Sequence, residues 1–405
     1  MTERRRAHTG AVAALLAAML SGPATAQTTA TPMPQPDATA PTQAKTPEAL
    51  FAEGLRYHAG DGVPQSFAAA AEWFAKAADL GHPAAQNHLG RYYHAGYGVD
   101  KDQAQALKWL AAAAQAGEPQ YLHDLARALE NGADGSSDPA GAADFYTAAA
   151  NLGHLESKVS LGVLFQNGTG VDQDYNRARA LYAEAAEAGN ARARNNLGLL
   201  YVRGHGVPQD YARAAALFAQ AAEQGMPQAL TNLGVMYENG FGVELDEARA
   251  QELYRLGGQT GRSDGTGEVL PRLVYDPRLA PPAEGDDAMA VLQAQVRGGD
   301  PVAMFQLGWL LARPDNAPYS ALTQAAALFR TAAERGYGPA MVNLGLMHFD
   351  GRGVLQDYVQ GQMWLTLAEA AGQKGAAELG LRYSDVMTAA QINEAQARAA
   401  ARLRQ

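Results

Sequence analysis

A row of polar side chains, each immediately before a leucine or its equivalent, is the strongest candidate for binding chemistry in this chain. The polar row comprises His88, Asp124, Ser160, Asn196, Asn232, Gln306 and Asn343. Four members are amides, which both donate and accept hydrogen bonds. Two interpretations are open: the polar row ties neighbouring structural units together, or it lines a groove and holds the backbone of an extended peptide. In the second case Arg91, Arg127 and Arg203 would add contacts to carboxylates.

Other patterns that could carry chemistry have structural explanations or are missing from the sequence. The nine histidines include no His-x-x-x-His pair of the kind that binds metal on a helix. His82 and His154 share one position relative to the glycines, and His58 and His94 share another, so we expect them to serve turns. The Gly-x-Gly pairs lack the lysine and spacing of phosphate-binding loops, and nucleophile motifs are missing. We therefore expect no catalytic residue, no cofactor and no metal site.

Glycines recur every 36 residues in two registers, and this fixed period predicts an array of structural repeats. The first register is Gly60, Gly96, Gly132, Gly168, Gly204 and Gly240, and the second is Gly81, Gly117, Gly153, Gly189, Gly225 and Gly261. Apolar residues between the glycines follow a helical period, and a glycine just past such a run ends a helix. Each unit is therefore predicted to be a helix, a glycine turn, a capped helix and a short turn.

The motifs within one unit point to a known family. They include Leu89-Gly90-x-x-Tyr93, Gly96-Tyr97-Gly98-Val99, Leu107-x-Trp109 and Ala116-Gly117, and they recur along the chain. This pattern resembles the Sel1-like repeats, which are relatives of the tetratricopeptide repeats. The resemblance implies an all-α fold, a right-handed α/α solenoid of helix-turn-helix repeats that usually serves as an interaction scaffold. It carries over no catalytic residue.

The repeats divide the chain into segments with one irregular stretch. We predict six repeats over 47–262, a degenerate repeat or insertion over 263–300, two repeats over 301–373, and C-terminal capping helices over 374–405. Four prolines exclude a regular helix from the first half of the degenerate unit. Residues 263–285 are either a tolerated surface insertion, or a hinge or loop that reaches into the groove.

Recurring side chains also predict how the second helix of each unit begins and packs. Its expected N-caps, which bond free backbone N–H groups, are Ser66, Asp102, Asp138, Asp174, Asp210, Asp246, Ser320 and Asp357. Its expected core residues are Trp73, Trp109, Tyr146, Tyr182, Phe218, Tyr254, Phe329 and Trp364. Thr388 and Gln391 have the spacing of a capping box, which opens a last helix over 389–403. We expect that helix to close the stack with a polar outer face.

The N-terminus reads as a secretory signal peptide over residues 1–26. Three arginines precede an apolar run that is too short to span a bilayer, and Ala24-Thr25-Ala26 is a typical cleavage site, so cleavage is expected near Ala26/Gln27. Residues 27–46 are rich in proline, threonine and alanine and are expected to be a disordered linker. The sequence therefore predicts export to the periplasm or secretion, with no stable membrane insertion after cleavage.

Charge and cysteine content narrow the range of partners. The formal net charge is -10, and removal of a signal segment with three arginines and one glutamate leaves about -12. An acidic chain argues against nucleic acid and anionic membranes, which require basic surfaces. We expect a protein or peptide partner. The chain has no cysteine, so no disulfide supports the array.

Two functions are consistent with these features. The first is a non-enzymatic periplasmic or secreted scaffold that binds a protein or peptide on its concave face, in envelope assembly, polysaccharide export or signalling. The alternative, which the family resemblance suggests, is a Sel1-like protein that binds a cell-wall ligand or β-lactam, or hydrolyses β-lactams weakly. The members described with that activity carry paired cysteines, which this chain lacks.

Overall fold

The chain folds into helices joined by turns, as the glycine period predicts. The computed structural model describes residues 46–132, 137–259, 271–282, 286–314 and 316–404, and no strand occurs in these ranges. The α-helices are α1 Pro47–Ala59, α2 Phe67–Asp79, α3 Pro83–Ala95, α4 Gln103–Ala114, α5 Pro119–Glu130, α6 Pro139–Asn151, α7 Leu155–Asn167, α8 Tyr175–Glu187, α9 Ala191–Arg203, α10 Tyr211–Ala222, α11 Pro227–Asn239, α12 Glu247–Gln259, α13 Asp286–Arg297, α14 Pro301–Ala312, α15 Tyr319–Glu334, α16 Gly338–Asp350, α17 Tyr358–Ala370, α18 Ala376–Arg382 and α19 Ala389–Leu403. The predicted signal peptide and the linker up to residue 45 lie outside the described residues.

The helices are distributed between two compact units. Unit one comprises residues 46–53, 71–95 and 101–210, and unit two comprises residues 54–70, 96–100 and 211–404. In unit one, each helix from α3 to α9 packs against the next in sequence. In unit two the same holds from α10 to α12 and from α13 to α17, and α17 also contacts α18 and α19. The predicted all-α repeat fold, in which neighbouring helix pairs bury each other's apolar faces, is thereby confirmed.

The turn glycines end the first helix of a repeat in the left-handed conformation. Gly204 has a φ of 70°, and its N–H bonds the carbonyl of Leu200 in the last turn of α9. A residue with a Cβ is strained at such an angle, whereas glycine adopts it freely. The Gly-x-Gly pairs are therefore helix stops, as the sequence predicts.

The glycine that follows the polar row admits a bulky side chain from the second helix. A Cβ on Gly162 would lie 2.5 Å from the ring of Tyr182, and a Cβ on Gly234 would lie 2.6 Å from the ring of Tyr254. Leucine and phenylalanine occupy the same place in other repeats, as Leu110 does against Gly90. The recurring Leu-Gly pair thus reflects close packing between the two helices of one repeat.

Among the predicted core residues, Tyr146, Tyr182, Phe218 and Phe329 are buried and Tyr254 is half-buried, but the tryptophans are one residue out of register. Phe74 and Leu110 are buried where Trp73 and Trp109 were expected to be, and those tryptophans are only half-buried. The side chains of Lys76 and Lys108 lie over their rings. Trp364 is buried, but its neighbour Leu365 is the residue that packs against the helical glycine. The eight aromatic residues therefore do not share one repeat position.

Most of the predicted N-caps are confirmed. The side-chain oxygens of Ser66, Asp102, Asp138, Asp174, Asp246 and Asp357 accept backbone N–H groups at the start of the helices that follow. His82 and His154 also cap helices, since the Nδ1 of each accepts a backbone N–H. The prediction for Ser320 is wrong, because α15 begins at Tyr319 and its N-cap is Pro318.

The last helix begins at the predicted capping box of Thr388 and Gln391, and it contacts the first repeats of the array. The Gln396 Oε1 accepts the backbone N–H of Phe67 at 2.8 Å. The Asn393 amide donates to the Gly96 carbonyl and accepts from the Gly98 N–H, both at 2.8 Å. These partners belong to unit two, so α19 joins segments that are about 300 residues apart in sequence. Within the described residues, no helix has the length and apolarity that crossing a bilayer requires.

Candidate functional site

The polar row in unit one forms contacts between neighbouring helices. Asp124 on α5 is buried and accepts a hydrogen bond from the Asn87 amide of α3 at 3.1 Å. Arg127, one turn further along α5, lies 3.6 Å from the Asp124 carboxylate and is half exposed. Asn87 and Asp124 join two adjacent repeats, which is the first interpretation of the polar row.

Ser160 and Asn196 each bond a tyrosine of the preceding second helix. Ser160 on α7 bonds Tyr146, whose hydroxyl also donates to Glu130 at 2.8 Å. Asn196 on α9 bonds Tyr182 and accepts from the Asn195 amide at 3.4 Å. Burial raises the pKa of both tyrosines, so both hydroxyls stay protonated and remain available as donors.

The remaining predicted residues of unit one lie apart from these bonds. The His88 ring packs between Phe51 and Phe74, with ring centroids 5.5 and 4.8 Å away. Arg91 on α3 and Arg203 on α9 are exposed. Unit one thus brings together Asp124 and Arg127 among the predicted site residues.

In unit two the polar row holds the backbone of an extended segment of the same chain. Asn343 on α16 is fully buried, donates to the Val274 carbonyl at 3.0 Å and accepts the Val274 N–H at 2.8 Å. Both backbone groups of one residue are therefore satisfied by one amide side chain, as a neighbouring strand would satisfy them. Residues 271–282, which contain Val274, form no helix. We call them the extended segment.

The side chain that follows Val274 packs among aromatic residues of α14. The Tyr275 ring lies 4.7 Å from Trp309 and 5.7 Å from Phe305, measured between ring centroids. Its hydroxyl donates to the Ala280 carbonyl at 2.8 Å and accepts from the Gln306 amide at 3.2 Å. Gln306, a second member of the polar row, thus also contacts the extended segment.

A buried carboxylate completes these contacts. Asp276 is 2% exposed, and its Oδ2 accepts the Tyr337 hydroxyl at 2.6 Å. The Arg278 guanidinium donates to both Asp276 oxygens at 2.8 Å. The hydrogen bonds from Arg278, and to a lesser extent the one from Tyr337, hold the pKa of Asp276 well below its usual range. The buried group is therefore a carboxylate. Tyr337 lies immediately before α16. Burial raises its pKa, and the hydrogen bond to Asp276 raises it further.

The extended segment contacts side chains of α14 and α16, and both alternatives for residues 263–285, a surface insertion or a hinge or loop that reaches into the groove, stay predictions. Residues 263–270 and 283–285 lie outside the described residues. Asn232 is half-buried on α11 of unit two. The peptide-binding role of Asn196, Asn232 and the arginines stays a prediction.

A histidine pair in unit one was not predicted from the sequence. His123 on α5 and His154 before α7 lie 4.7 Å apart between ring centroids. Each places Nδ1 2.9 Å from the Ser157 hydroxyl, which is fully buried and therefore closed to a substrate. Burial, reinforced by His154, lowers the pKa of His123 to about 4. Their positions relative to the glycine period differ, so the spacing alone gives no signal that they meet.

Comparison with known proteins extends the likeness over most of the chain. A model of the Sel1 repeat matches eight segments, residues 47–82, 83–118, 119–154, 156–190, 191–226, 227–259, 301–337 and 338–373. The solved structure of c5321, a protective antigen present in uropathogenic Escherichia coli strains, is similar at 30% identity over 87% of this chain and 83% of that chain, with a TM-score of 0.47. A Sel1 repeat protein from Oxalobacter formigenes is similar at 32% identity over 53% of this chain and 88% of that chain, with a TM-score of 0.49. A search of curated proteins gave no match.

Proposed function

Because the chain belongs to the Sel1 repeat family, we propose that it is a non-enzymatic scaffold that binds an extended segment of a partner protein through the first helices of its repeats. Members of the polar row recur on these helices and present hydrogen-bonding groups at a fixed interval. A peptide backbone repeats its own donors and acceptors regularly, so side chains of this kind suit it as a ligand.

The contact between Asn343 and Val274 is the observation that carries the proposal. It shows a polar-row amide bonded to both backbone groups of a residue in an extended segment. Asn196 and Asn232 carry the same amide at the corresponding repeat position. Because an amide offers two donor hydrogens and an oxygen with two lone pairs, we infer that Asn196 bonds the backbone of a partner in addition to Tyr182, and that Asn232 bonds it likewise. We further infer that the exposed guanidinium groups of Arg91 and Arg203 bind carboxylates of that partner.

We further propose that the scaffold acts after export, in the periplasm or outside the cell. The support is the signal-like N-terminus, with its arginines, short apolar run and small-residue cleavage site. The mature chain is acidic, which favours neutral or basic protein partners over nucleic acid. Envelope assembly, polysaccharide export and signalling are processes in which such a scaffold would serve.

Selection from a random peptide display library with the purified mature chain tests the peptide-binding function. We expect enriched peptides to bind the wild type at least tenfold more tightly than the variants Asn196→Ala and Asn232→Ala. The matched control is Asn239→Ala, because Asn239 is an exposed asparagine of α11 whose amide donates to the Val235 carbonyl of its own helix at 2.9 Å. Melting temperatures measured in parallel separate binding from folding.

Two results would overturn the proposal. One is a library that yields no peptide binding to the folded chain. The other is that Asn196→Ala and Asn232→Ala lower the melting temperature but leave peptide affinity unchanged, because the amides would then only tie adjacent repeats together.

A further inference from the structure

Side chains of the repeats 301–337 and 338–373 contact residues 274–276 of the extended segment. These five side chains, which we call the peptide site, are Phe305, Gln306, Trp309, Tyr337 and Asn343. We propose that the peptide site binds extended peptides with the pattern aliphatic–tyrosine–aspartate, and that residues 271–282 of the same chain are its resident occupant. This inference rests on the proposed peptide-binding function and specifies the ligand class for one part of the protein.

Backbone recognition at the peptide site does not depend on the ligand's side chains. Asn343 bonds the N–H and the carbonyl of one ligand residue, and every residue except proline offers that pair. Asn343 is fully buried beneath the segment, so its amide would lose these bonds if the site held no extended chain. The amide therefore selects backbone conformation, and the neighbouring contacts select sequence.

The tyrosine position provides the first element of specificity. Trp309 and Phe305 contact the Tyr275 ring, and the Gln306 amide donates to its hydroxyl at 3.2 Å. Phenylalanine would keep the ring contacts but leave the Gln306 bond unmade, and an aliphatic residue would lose both. Tyrosine is the natural side chain that satisfies all three contacts.

The aspartate position provides the second element. Tyr337 donates a hydrogen bond to the Asp276 carboxylate. The positive charge that neutralises this carboxylate comes from Arg278, which belongs to the occupant itself. A carboxylate that is 2% exposed requires such compensation, because an unpaired buried charge is costly. A ligand for this site is therefore expected to carry an arginine two residues after the aspartate.

The chemistry of the segment differs from that of an ordinary connection between helices. Connections usually run over the surface and leave their polar groups in water. Here an ionised side chain and both backbone groups of Val274 are bonded within the protein. Moreover, Gln306 and Asn343 stand at the polar-row position, which seven of the eight repeats fill with a polar residue, so the backbone-binding groups of the site belong to the repeat pattern.

Tethering decides how a free peptide would compete with the resident. A segment joined to its own site has an effective concentration on the order of millimolar, so it occupies the site even when its intrinsic affinity is modest. The apparent affinity for a free peptide falls in proportion to the fraction of sites left open. Weakening the resident alone should therefore improve binding of a free peptide with the native pattern.

The experiment measures binding of a fluorescein-labelled synthetic peptide with the sequence of residues 271–282 by fluorescence anisotropy. Three full-length mature proteins are compared: the wild type, Tyr275→Phe, and the double variant Tyr275→Ala with Asp276→Ala. We expect apparent affinity to rise in that order, with the double variant binding at least tenfold more tightly than the wild type. A peptide that itself carries both alanines should bind at least tenfold more weakly, as should the native peptide when Asn343→Ala is added to the double variant.

The result that overturns the inference is equal, or no, binding of the peptide to all three proteins while circular dichroism and melting temperature show intact folding. The segment would then be only a connector. If the double variant does not fold, the comparison between Tyr275→Phe and the wild type decides, because the phenylalanine keeps the ring packing. The assay needs no partner protein, so its failure leaves the library experiment on Asn196 and Asn232 unaffected, and failure of that experiment leaves this one unaffected.

Discussion

Replacement of Asn343 by alanine should release the extended segment locally from unit two. The Asn343 amide makes two hydrogen bonds to Val274, at 2.8 and 3.0 Å, and lies in a fully buried position. Alanine removes both bonds, leaves a donor and an acceptor of the backbone without that partner, and creates a small cavity. Gln306, the neighbouring polar-row residue, instead donates to the Tyr275 hydroxyl and the Ala280 carbonyl, so the loss of the Val274 bonds should be specific to Asn343.

The expected magnitude follows from those two bonds. Each contributes about 1 kcal/mol in net terms, and leaving a partly buried backbone group unsatisfied costs about 1–3 kcal/mol. We therefore expect the free energy of local opening around Val274 to fall by about 2–4 kcal/mol. At about 1.4 kcal/mol for each factor of ten, the Val274 amide should exchange its hydrogen about thirtyfold to several hundredfold faster.

Native-state hydrogen exchange followed by mass spectrometry measures this change on peptides covering 271–282. Asn239→Ala is the control within unit two, and it should leave exchange of that segment unchanged. The reasoning is refuted if Asn343→Ala leaves the exchange of the segment within a factor of three of the wild type. Acceleration spread evenly over α14 to α17 would also contradict it, because that result indicates general loss of stability instead of local release.

Three further predictions concern packing and charge. His123 has a pKa of about 4 in the folded chain against an ordinary value of 6.5, so the unfolded chain takes up the proton first as pH falls. The free energy of unfolding measured in urea titrations should therefore drop by up to about 3 kcal/mol between pH 6.5 and 4. The variant His123→Gln should lack that part of the drop. Gly162→Ala places a Cβ 2.5 Å from the Tyr182 ring and should cost about 1–3 kcal/mol in the same titrations, whereas Gly258→Ala, with no atom within 4 Å, should not destabilise the chain. Gln396→Ala removes a buried acceptor and should cost about 1–3 kcal/mol, and an unchanged urea midpoint would refute the importance of that contact.

The regular part of the fold follows from local sequence because its determinants are local. A glycine past a helical run, as at Gly204, sets the helix end through its own backbone angle. An aspartate such as Asp174 caps the next helix through bonds to residues two and three positions later. The Ser320 cap failed because the irregular turn before α15 ends at Pro318 and the helix begins two residues earlier than predicted. The tryptophan register failed because adjacent bulky residues, as in Trp73 and Phe74, compete for one core position.

The candidate site was only partly predictable from sequence, because tertiary neighbours decide whether a polar-row residue bonds an adjacent repeat or the extended segment. Sequence placed Asn196 and Asn343 at the same repeat position and left both interpretations open. Asn196 lies next to a tyrosine of the preceding helix and bonds it. Asn343 instead meets Val274, which comes from a stretch without helical periodicity and about 70 residues away. No local pattern specifies that meeting.

The degenerate repeat over 263–300 explains why the polar-row position bonds an adjacent repeat in one case and the extended segment in another. A regular repeat before Asp300 would present a first helix, but prolines 271, 277, 281 and 282 prevent one there. The chain passes this stretch without a helix, which exposes backbone donors and acceptors that a helix would satisfy internally. An amide on the first helix of a later repeat is a ready partner for them, as the Asn343 contact shows. The absence of a helix over residues 271–282 therefore leaves backbone groups for a ligand, and the later repeat provides the amide that bonds them. Replacing the four prolines with alanine should restore a helix over 271–282, abolish the protection of Val274 by Asn343 and open the peptide site to the labelled peptide.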